Sequence, residues 1–355
     1  MMKIIILIFL LCVLANKHAC ARIAPKKIRG YNIDRVTDEA IETECDLFSG
    51  TWVHDTSYPL YDALKCPHIS TEFNCKANGR PDSDYEKWRW QPNGCNIPRF
   101  SGRGILDKLT GKRLIFVGDS ISQNQFLSLI CLLYTEFPDT FVPSNSSNFR
   151  FKSLEYNSSI EFFWAPYLVD LEITEEGKRI LHVDEIQNNA MHWMGADVMI
   201  FESSKWWPQV LGSQRWDIIV EGNQSYADMD PVVAYTKALT TWAKWISSNP
   251  NPQTLVLFRG TSFSHYDSRK RCDEKEPIQD PSYNPQPTFH AKIVEEVLKS
   301  TSPGVKFFNI TRNSAFRQDG HSSVYTTLKI SAPHEDCTHW CLPGVPDSWN
   351  QLLYA

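Results

Sequence analysis

The run Lys112-Arg113-Leu114-Ile115-Phe116-Val117-Gly118-Asp119-Ser120, continuing Ile121-Ser122-Gln123-Asn124-Gln125-Phe126, decides the fold. Leu114 to Val117 is a short apolar run that stops at a glycine. Beyond it Phe126, Leu127, Ile130, Leu133 and Tyr134 recur at helical spacing as one apolar side. The reading is strand, tight turn, helix, with Ser120 on the turn at the strand's carboxyl end. In open α/β sheets the ligand crevice lies beyond those ends, and the next helix aims free N–H groups into it. A serine so placed can attack an acyl carbon while its own N–H steadies the oxyanion. Asp119 and Ser120 can also be plain helix caps. Taken alone, the stretch favours the cap.

Downstream, the same grammar repeats. Ser159–Trp164 reads as a strand, and Asp197–Phe201 as a buried one, with Trp216–Val220 a weaker case. Asp230-Pro231 starts a helix through Tyr235, Leu239, Trp242 and Ile246, which stops near Asn249-Pro250. Thr254–Phe258 is another strand, followed by a helix over about Thr288–Lys299 and a strand Val305–Ile310. Strands alternating with helices predict a parallel sheet covered on both faces.

Ahead of this α/β body the chain is different. Residues 45–100 hold four cysteines, many turn formers and Trp52, Trp88 and Trp90, with little helical period. Such a segment buries little core of its own and leans on disulfides and on a larger neighbour. Residues 22–44 read as a polar linker. Before them, Lys3, the apolar run Ile4–Ala15 and Ala19-Cys20-Ala21 form a signal peptide over residues 1–21, with an uncleaved anchor as the alternative. The run is too short to span a bilayer, which takes roughly 20 residues.

Composition narrows the class. Hydrophobic residues make up 42% and charged ones 22%, as in an ordinary globular protein. A net charge of -5, with no long basic run, argues against a nucleic-acid partner. Twelve tryptophans is a high number, and an indole face offers a flat platform for a sugar ring as well as core packing. Beyond the signal stand Cys45, Cys66, Cys75, Cys95, Cys131, Cys272, Cys337 and Cys341, an even set suited to an oxidising compartment. Two close pairs are lacking, so zinc is set aside and no metal is expected. Asn145, Asn157, Asn223 and Asn309 lie in glycosylation sequons. Membrane contact is expected only through the N-terminal segment.

The tail, Asp336-Cys337-Thr338-His339-Trp340-Cys341-Leu342-Pro343-Gly344, supplies partners for Ser120. Asp336 and His339 are three apart, so one helical turn or a tight loop lets both face the same way. Histidine is the usable base near neutral pH, and a carboxylate fixes its tautomer. Ser120, His339 and Asp336 therefore make a candidate nucleophile, base and orienter. Each taken singly is also an ordinary polar residue. Asp319 and His321 form a rival acid–base pair.

These motifs together resemble the plant trichome birefringence-like family. Gly118-Asp119-Ser120 and the Asp336–Gly344 tract carry the resemblance, with Cys45-Asp46-Leu47-Phe48-Ser49-Gly50-Thr51-Trp52-Val53, Trp88-Arg89-Trp90-Gln91-Pro92 through Cys95, and Trp349–Tyr354. It spans about residues 45–355. The resemblance implies an α/β, SGNH/GDSL-hydrolase-like domain over 101–355, its central parallel sheet flanked by helices, with a small disulfide-pinned N-terminal lobe. It implies O-acetyl transfer to cell-wall polysaccharide (xylan, pectin or another hemicellulose) through Ser120, Asp336 and His339. No bound cofactor is implied, only an acetyl donor. The compartment implied is the secretory pathway, either Golgi lumen or extracellular wall. A secreted acetylesterase with the same triad and a non-catalytic wall-polysaccharide binder are the alternatives. Gln123 stands where members often have Arg, and Glu202-Ser203-Ser204-Lys205-Trp206-Trp207 where an Asn-Thr-Gly-His-Trp-Trp-like stretch is usual; Lys205 for histidine bears on the choice of acceptor. Gly118, Asp119, Asn124, Lys205, Trp206 and Arg259 are the remaining candidates for oxyanion or substrate contact, Asn124 being also a helix-packing candidate and Arg259 a structural ion-pair candidate. Cys337 and Cys341, flanking His339, are expected to bridge to distant parts and hold the base in place.

Overall fold

The computed structural model describes residues 45–355 except 140, 144–148, 208–215, 250, 267–271, 273, 281, 287, 302–303 and 328–334. The signal segment 1–21, the linker 22–44 and Asn145 lie outside the described residues. From Glu44 to the C-terminus the chain is one compact unit.

Its centre is a seven-stranded sheet. The deciding stretch forms β3 (Arg113–Gly118) and runs into a helix, α2 (Ser120–Glu136). β3 lies between β6 (Ser158–Trp164) and β9 (Val198–Phe201), parallel to both. β12 (Leu255–Arg259) and β13 (Val305–Phe308) extend the parallel part beyond β9. The central parallel sheet is there as read, with an antiparallel extension that the sequence reading did not include. On the far side of β6, β5 (Arg150–Ser153) and β4 (Phe141–Pro143) add antiparallel, as short returning edge strands can without a crossover helix.

Among the parallel strands the chain order is second, first, third, fourth, fifth. The order reverses at β3, and such a switch point opens a crevice beyond the strand ends. β3 is buried on both faces. Leu114 and Phe116 enter one core, with Phe126, Ile130 and Trp349; Ile115 and Val117 enter the other, with Trp242 and Phe258. A continuous apolar run rather than alternation is what two-sided burial demands.

α2 departs from the one-sided stripe read in the sequence. Ser122, Asn124, Gln125 and Ser128 are buried along with the apolar residues. A C-terminal helix, α7 (Val345–Tyr354), accounts for this by covering that side: Asn350 Nδ2 donates to Gln125 O (3.0 Å) and to Ser128 Oγ (2.9 Å). α4 (Pro231–Ser248) and α5 (Phe289–Ser300) cover the opposite face, and α4 begins as read, its Asp230 cap accepting from Val232 N (2.8 Å). The weaker strand at 216–220 does exist as β10 (Ile218–Glu221), but in a separate four-stranded sheet with β7 (Leu171–Ile173), β8 (Arg179–His182) and β11 (Gln224–Tyr226).

The N-terminal lobe contributes a hairpin of β1 (Gly50–His54) and β2 (Trp88–Pro92). Cys45–Cys95 closes the lobe on itself, whereas Cys66–Cys131 ties it to α2 and Cys75–Cys341 to the C-terminal tract. Trp52, Phe73 and Trp90 sit in the same core cluster as α2 and α7.

Candidate active site

β3 stops at Gly118 because a side chain there does not fit. A Cβ would lie 2.4 Å from Glu202 O and 2.5 Å from Ser122 Oγ. Gly118 is thus a close-packing residue; its carbonyl accepts from Ala165 N (3.0 Å). Asp119 performs the cap. Its Oδ1 accepts from Ile121 N (2.9 Å), and its Oδ2 accepts from Lys205 N (3.1 Å), which anchors the loop after β9. Ser120, half-buried, is then the first residue of α2.

The opposite side of the site is a two-stranded ribbon of β14 (His321–Ser323) and β15 (Asp336–Trp340). Asp336 and His339 were expected on a helical turn or tight loop, and the element is instead a strand. Alternating strand geometry points residues three apart to opposite faces, yet here they meet. Asp336 Oδ1 accepts from Thr338 N and His339 N (both 3.0 Å), curling the start of the strand as an Asx turn does. Its Oδ2 is left facing His339 Nδ1 at 2.7 Å. His339 Nε2 lies 2.6 Å from Ser120 Oγ.

The electrostatics fit a base and its orienter. Burial alone pushes the His339 pKa down, but the Asp336 charge overrides it, and the net direction is up. Burial works against the Asp336 carboxylate too, and the imidazole and backbone N–H groups hold it down to about 2. The neutral imidazole carries its proton on Nδ1, toward Asp336, so Nε2 can accept from the serine.

Other candidates fall elsewhere. Asn124 does not reach the site opening: its Oδ1 accepts from Trp340 N (2.9 Å) and its Nδ2 donates to Trp340 O (3.2 Å), so both ends of the amide are spent. It brackets the helix of Ser120 to the strand of His339. Arg259 is sealed at 1% exposure. It donates to Ile121 O and Gln125 Oε1 (both 3.1 Å), pairs with Glu202 at 3.2 Å and lies over the Trp349 ring at 5.1 Å. A buried guanidinium needs such partners, and they leave it no path to substrate. Glu202 itself is pushed up to about 8 by burial and by the Asp119 charge, against the pull of Arg259. Lys205 is half-buried, with Nζ donating to Ser262 O (2.6 Å) and Ser264 Oγ (2.7 Å), and burial lowers its pKa to about 8. Ser264 Oγ in turn lies 3.1 Å from Thr338 Oγ1, so this lysine links the sheet's end to β15. Trp206 is half-buried beside it.

The rival pair is otherwise engaged. Asp319 is held by Arg317 through two 2.8 Å bonds. His321 stacks on Trp340, meets His265 at 2.7 Å and contacts His339 O at 3.0 Å, supporting β15 from behind. Both imidazoles are pushed down by burial, His265 to about 4.

Disulfides bracket the base as anticipated: Cys337 joins Cys272, and Cys341 joins Cys75. Sequence reasoning did not find Phe73 or Arg80. Phe73 lies 5.4 Å from the His339 ring, and its carbonyl accepts from Leu342 N (3.0 Å). Arg80 donates to His321 O and Asp319 O (3.0 and 2.8 Å). The nearby Cys75 was the one available signal. Cys272, Glu335 and Cys337 are close enough to suggest a metal, but both thiols are consumed in a disulfide. Asn157 and Asn223 are exposed, while Asn309 is half-buried and accepts from Thr311 N (3.3 Å).

Residues 97–355 match the family model described as PC-Esterase, a GDSL/SGNH-like acyl-esterase family found in Pmr5 and Cas1p, and residues 43–96 match the PMR5 N-terminal domain. The chain belongs to the trichome birefringence-like family. It is 42% identical to Protein trichome birefringence-like 36 of Arabidopsis thaliana, covering 89% of this chain and 86% of that one. With Protein trichome birefringence-like 43 of the same plant the identity is 45%, over 88% of this chain and 87% of the other. With Protein trichome birefringence it is 40%, over 88% of this chain and 56% of the longer relative. In this family member the GDSL/SGNH-like α/β domain is the one described above.

Proposed function

We propose that the protein is a serine-dependent O-acetyltransferase acting on hydroxyls of plant cell-wall polysaccharide, in the secretory pathway or the wall. The observation that supports this most is the continuous chain Ser120–His339–Asp336, with contacts of 2.6 and 2.7 Å across 219 residues of sequence. Ser120 Oγ attacks the acetyl carbonyl of a donor ester, and its proton passes to His339 Nε2. The oxyanion is met by the Ser120 N–H at the head of α2. The donor's leaving oxygen takes the proton as the ester bond breaks, leaving acetyl-Ser120. A sugar hydroxyl then gives its proton to the same imidazole, attacks the acetyl carbon and displaces Ser120 Oγ, which is reprotonated. Asp336 keeps the ring oriented and stabilises the imidazolium in both halves.

Mature protein incubated with an acetylated donor and a bare xylan or pectin oligosaccharide tests the reading. A mass gain of one acetyl group on the oligosaccharide, abolished in Ser120→Ala, is the expected result. Free acetate without acceptor mass gain makes the protein an esterase on the same triad. Turnover that survives Ser120→Ala overturns the mechanism.

A further inference from the structure

Nine of the twelve tryptophans are buried and two, Trp88 and Trp206, are half-buried; Trp164 alone is exposed, at 39%. Burying an indole stabilises a fold by several times what a small side chain does, so the one left in water is informative. Trp164 is the last residue of β6, paired in register with Gly118. Trp206 belongs to the loop after β9, one residue beyond the Lys205 N–H that holds Asp119. β6 and β9 are the two neighbours of β3, on opposite sides. Yet the two indoles meet edge to face, with ring centroids 5.3 Å apart. Side chains from the two flanking strands touch only by reaching across the strand between them. The indoles therefore meet across the carboxyl end of β3, at the level of Gly118, two residues before Ser120. Tyr167 supports Trp206 from behind at 6.1 Å, edge-on.

We propose that Trp164, braced by Trp206, is the acceptor subsite: a platform for the apolar face of a pyranose ring whose hydroxyl is presented to Ser120. The inference rests on the acyl-transfer reading above and adds the acceptor contact to it. An indole suits this because a sugar ring carries axial C–H groups on one face and hydroxyls around its rim. Stacking fixes the plane of the ring while leaving the rim free to react. The two indoles are themselves uncharged, and so offer the ring stacking rather than an ion pair. They also cover the approach to the acyl group on one side, which slows hydrolysis relative to transfer.

The test measures binding apart from chemistry. In a Ser120→Ala background, xylan and pectin oligosaccharides are titrated by calorimetry and by tryptophan fluorescence. Trp164→Ala in that background should weaken the better ligand about tenfold and remove most of the fluorescence change. Trp164→Phe should restore affinity to within about threefold. Trp88→Ala, on the hairpin of the N-terminal lobe, should leave affinity unchanged. Equal affinity in Trp164→Ala and its parent, with thermal melting preserved, overturns the subsite; so does an equal loss in Trp88→Ala. Hydrolysis of p-nitrophenyl acetate by the parent enzyme, lost in Ser120→Ala, is read separately. It reports on the acyl step, so the two readings fail independently.

Discussion

Ser120 stands at the end of an interior strand, hydrogen-bonded on both sides within a seven-stranded sheet, at the head of a helix buried for most of its length. His339 stands on a two-stranded ribbon, whose other strand, β14, is three residues long. What the ribbon lacks in ladder it recovers through cross-links: two disulfides, the Asn124 bracket, the Lys205–Ser264–Thr338 link and the Phe73 contact. One half of the triad is placed by regular secondary structure and the other by tertiary fasteners drawn from distant parts of the chain. Such fasteners can be cut singly. Damage to the base side should therefore come in graded steps, whereas damage to the nucleophile side should be all or none.

The largest effects come from deleting the chemistry. Ser120→Ala and His339→Ala should each lower kcat by roughly 10³–10⁶, and the double variant should lose little more, because the pair acts as a unit. Single-turnover acetyl transfer checks this, and additive losses would separate the two residues.

Cutting Cys75–Cys341 comes next. It closes a loop of 266 residues and joins the lobe to the residue two past the base. Its replacement by serines should cost about 2–5 kcal/mol of stability. Partial reduction should depress turnover before the domain melts. Unchanged turnover in a reduced, folded sample would free the base side from its fasteners.

Asn124 sharpens the comparison, since it joins the two sides directly. Asn124→Leu strands both the N–H and the C=O of Trp340 in a buried setting, each costing about 1–3 kcal/mol. Activity should fall by a larger factor than in a surface variant of equal stability, with the loss in kcat rather than KM. A drop in stability alone, with kcat intact in the folded fraction, would reduce Asn124 to packing.

Much of the nucleophile side was legible in sequence because its cues are local. A β-branched apolar run, a glycine and an aspartate cap lie within a few residues of Ser120, and each does in the structure what its chemistry suggests. The base side was legible in chemistry but not in geometry. Asp336 and His339 were found by residue type, yet their meeting depends on an Asx turn at the start of a strand, where a helical turn or a tight loop was read. For Arg259 and Asn124 the structural alternative is the one realised; the sequence left both open because a polar residue near a strand end or one turn into a helix looks the same whether it faces a crevice or the core. α7 decides which, and its packing against α2 is a contact across more than 200 residues that no local pattern encodes. Trp164 was hidden for the opposite reason: its identity was plain, but its exposure depends on the strand order.

The smallest expected effect is also the one in which stability and activity oppose each other. The Asp336 pKa is held down, from 3.8 to about 2, so its contribution of about 2 kcal/mol is present above pH 3.8 and fades as pH falls through 2. Glu202 and Asp347 are shifted the other way, to about 8 and about 7, chiefly by burial. A raised carboxyl contributes fully below its unfolded value and loses that contribution as pH climbs through the folded one. His339, also raised, adds to the same decline above its unfolded value of 6.5. His265, His290 and His321 pull the other way: burial holds them below their unfolded value, so their contribution is present above pH 6.5 and is lost as pH falls. Thermal midpoints should therefore peak near pH 6–7 and fall toward pH 8, and Glu202→Gln should flatten that fall. Turnover needs the imidazole neutral and should rise over the upper part of the same interval, through a pKa above 6.5. The nucleophile side, with its sealed Asp119–Glu202–Arg259 cluster, thus sets the stability slope, while the base side sets the activity slope. A midpoint that climbs between pH 7 and 8, where those imidazoles are already neutral, would remove the buried Glu202 acid from that account, and with it the contrast between the two sides.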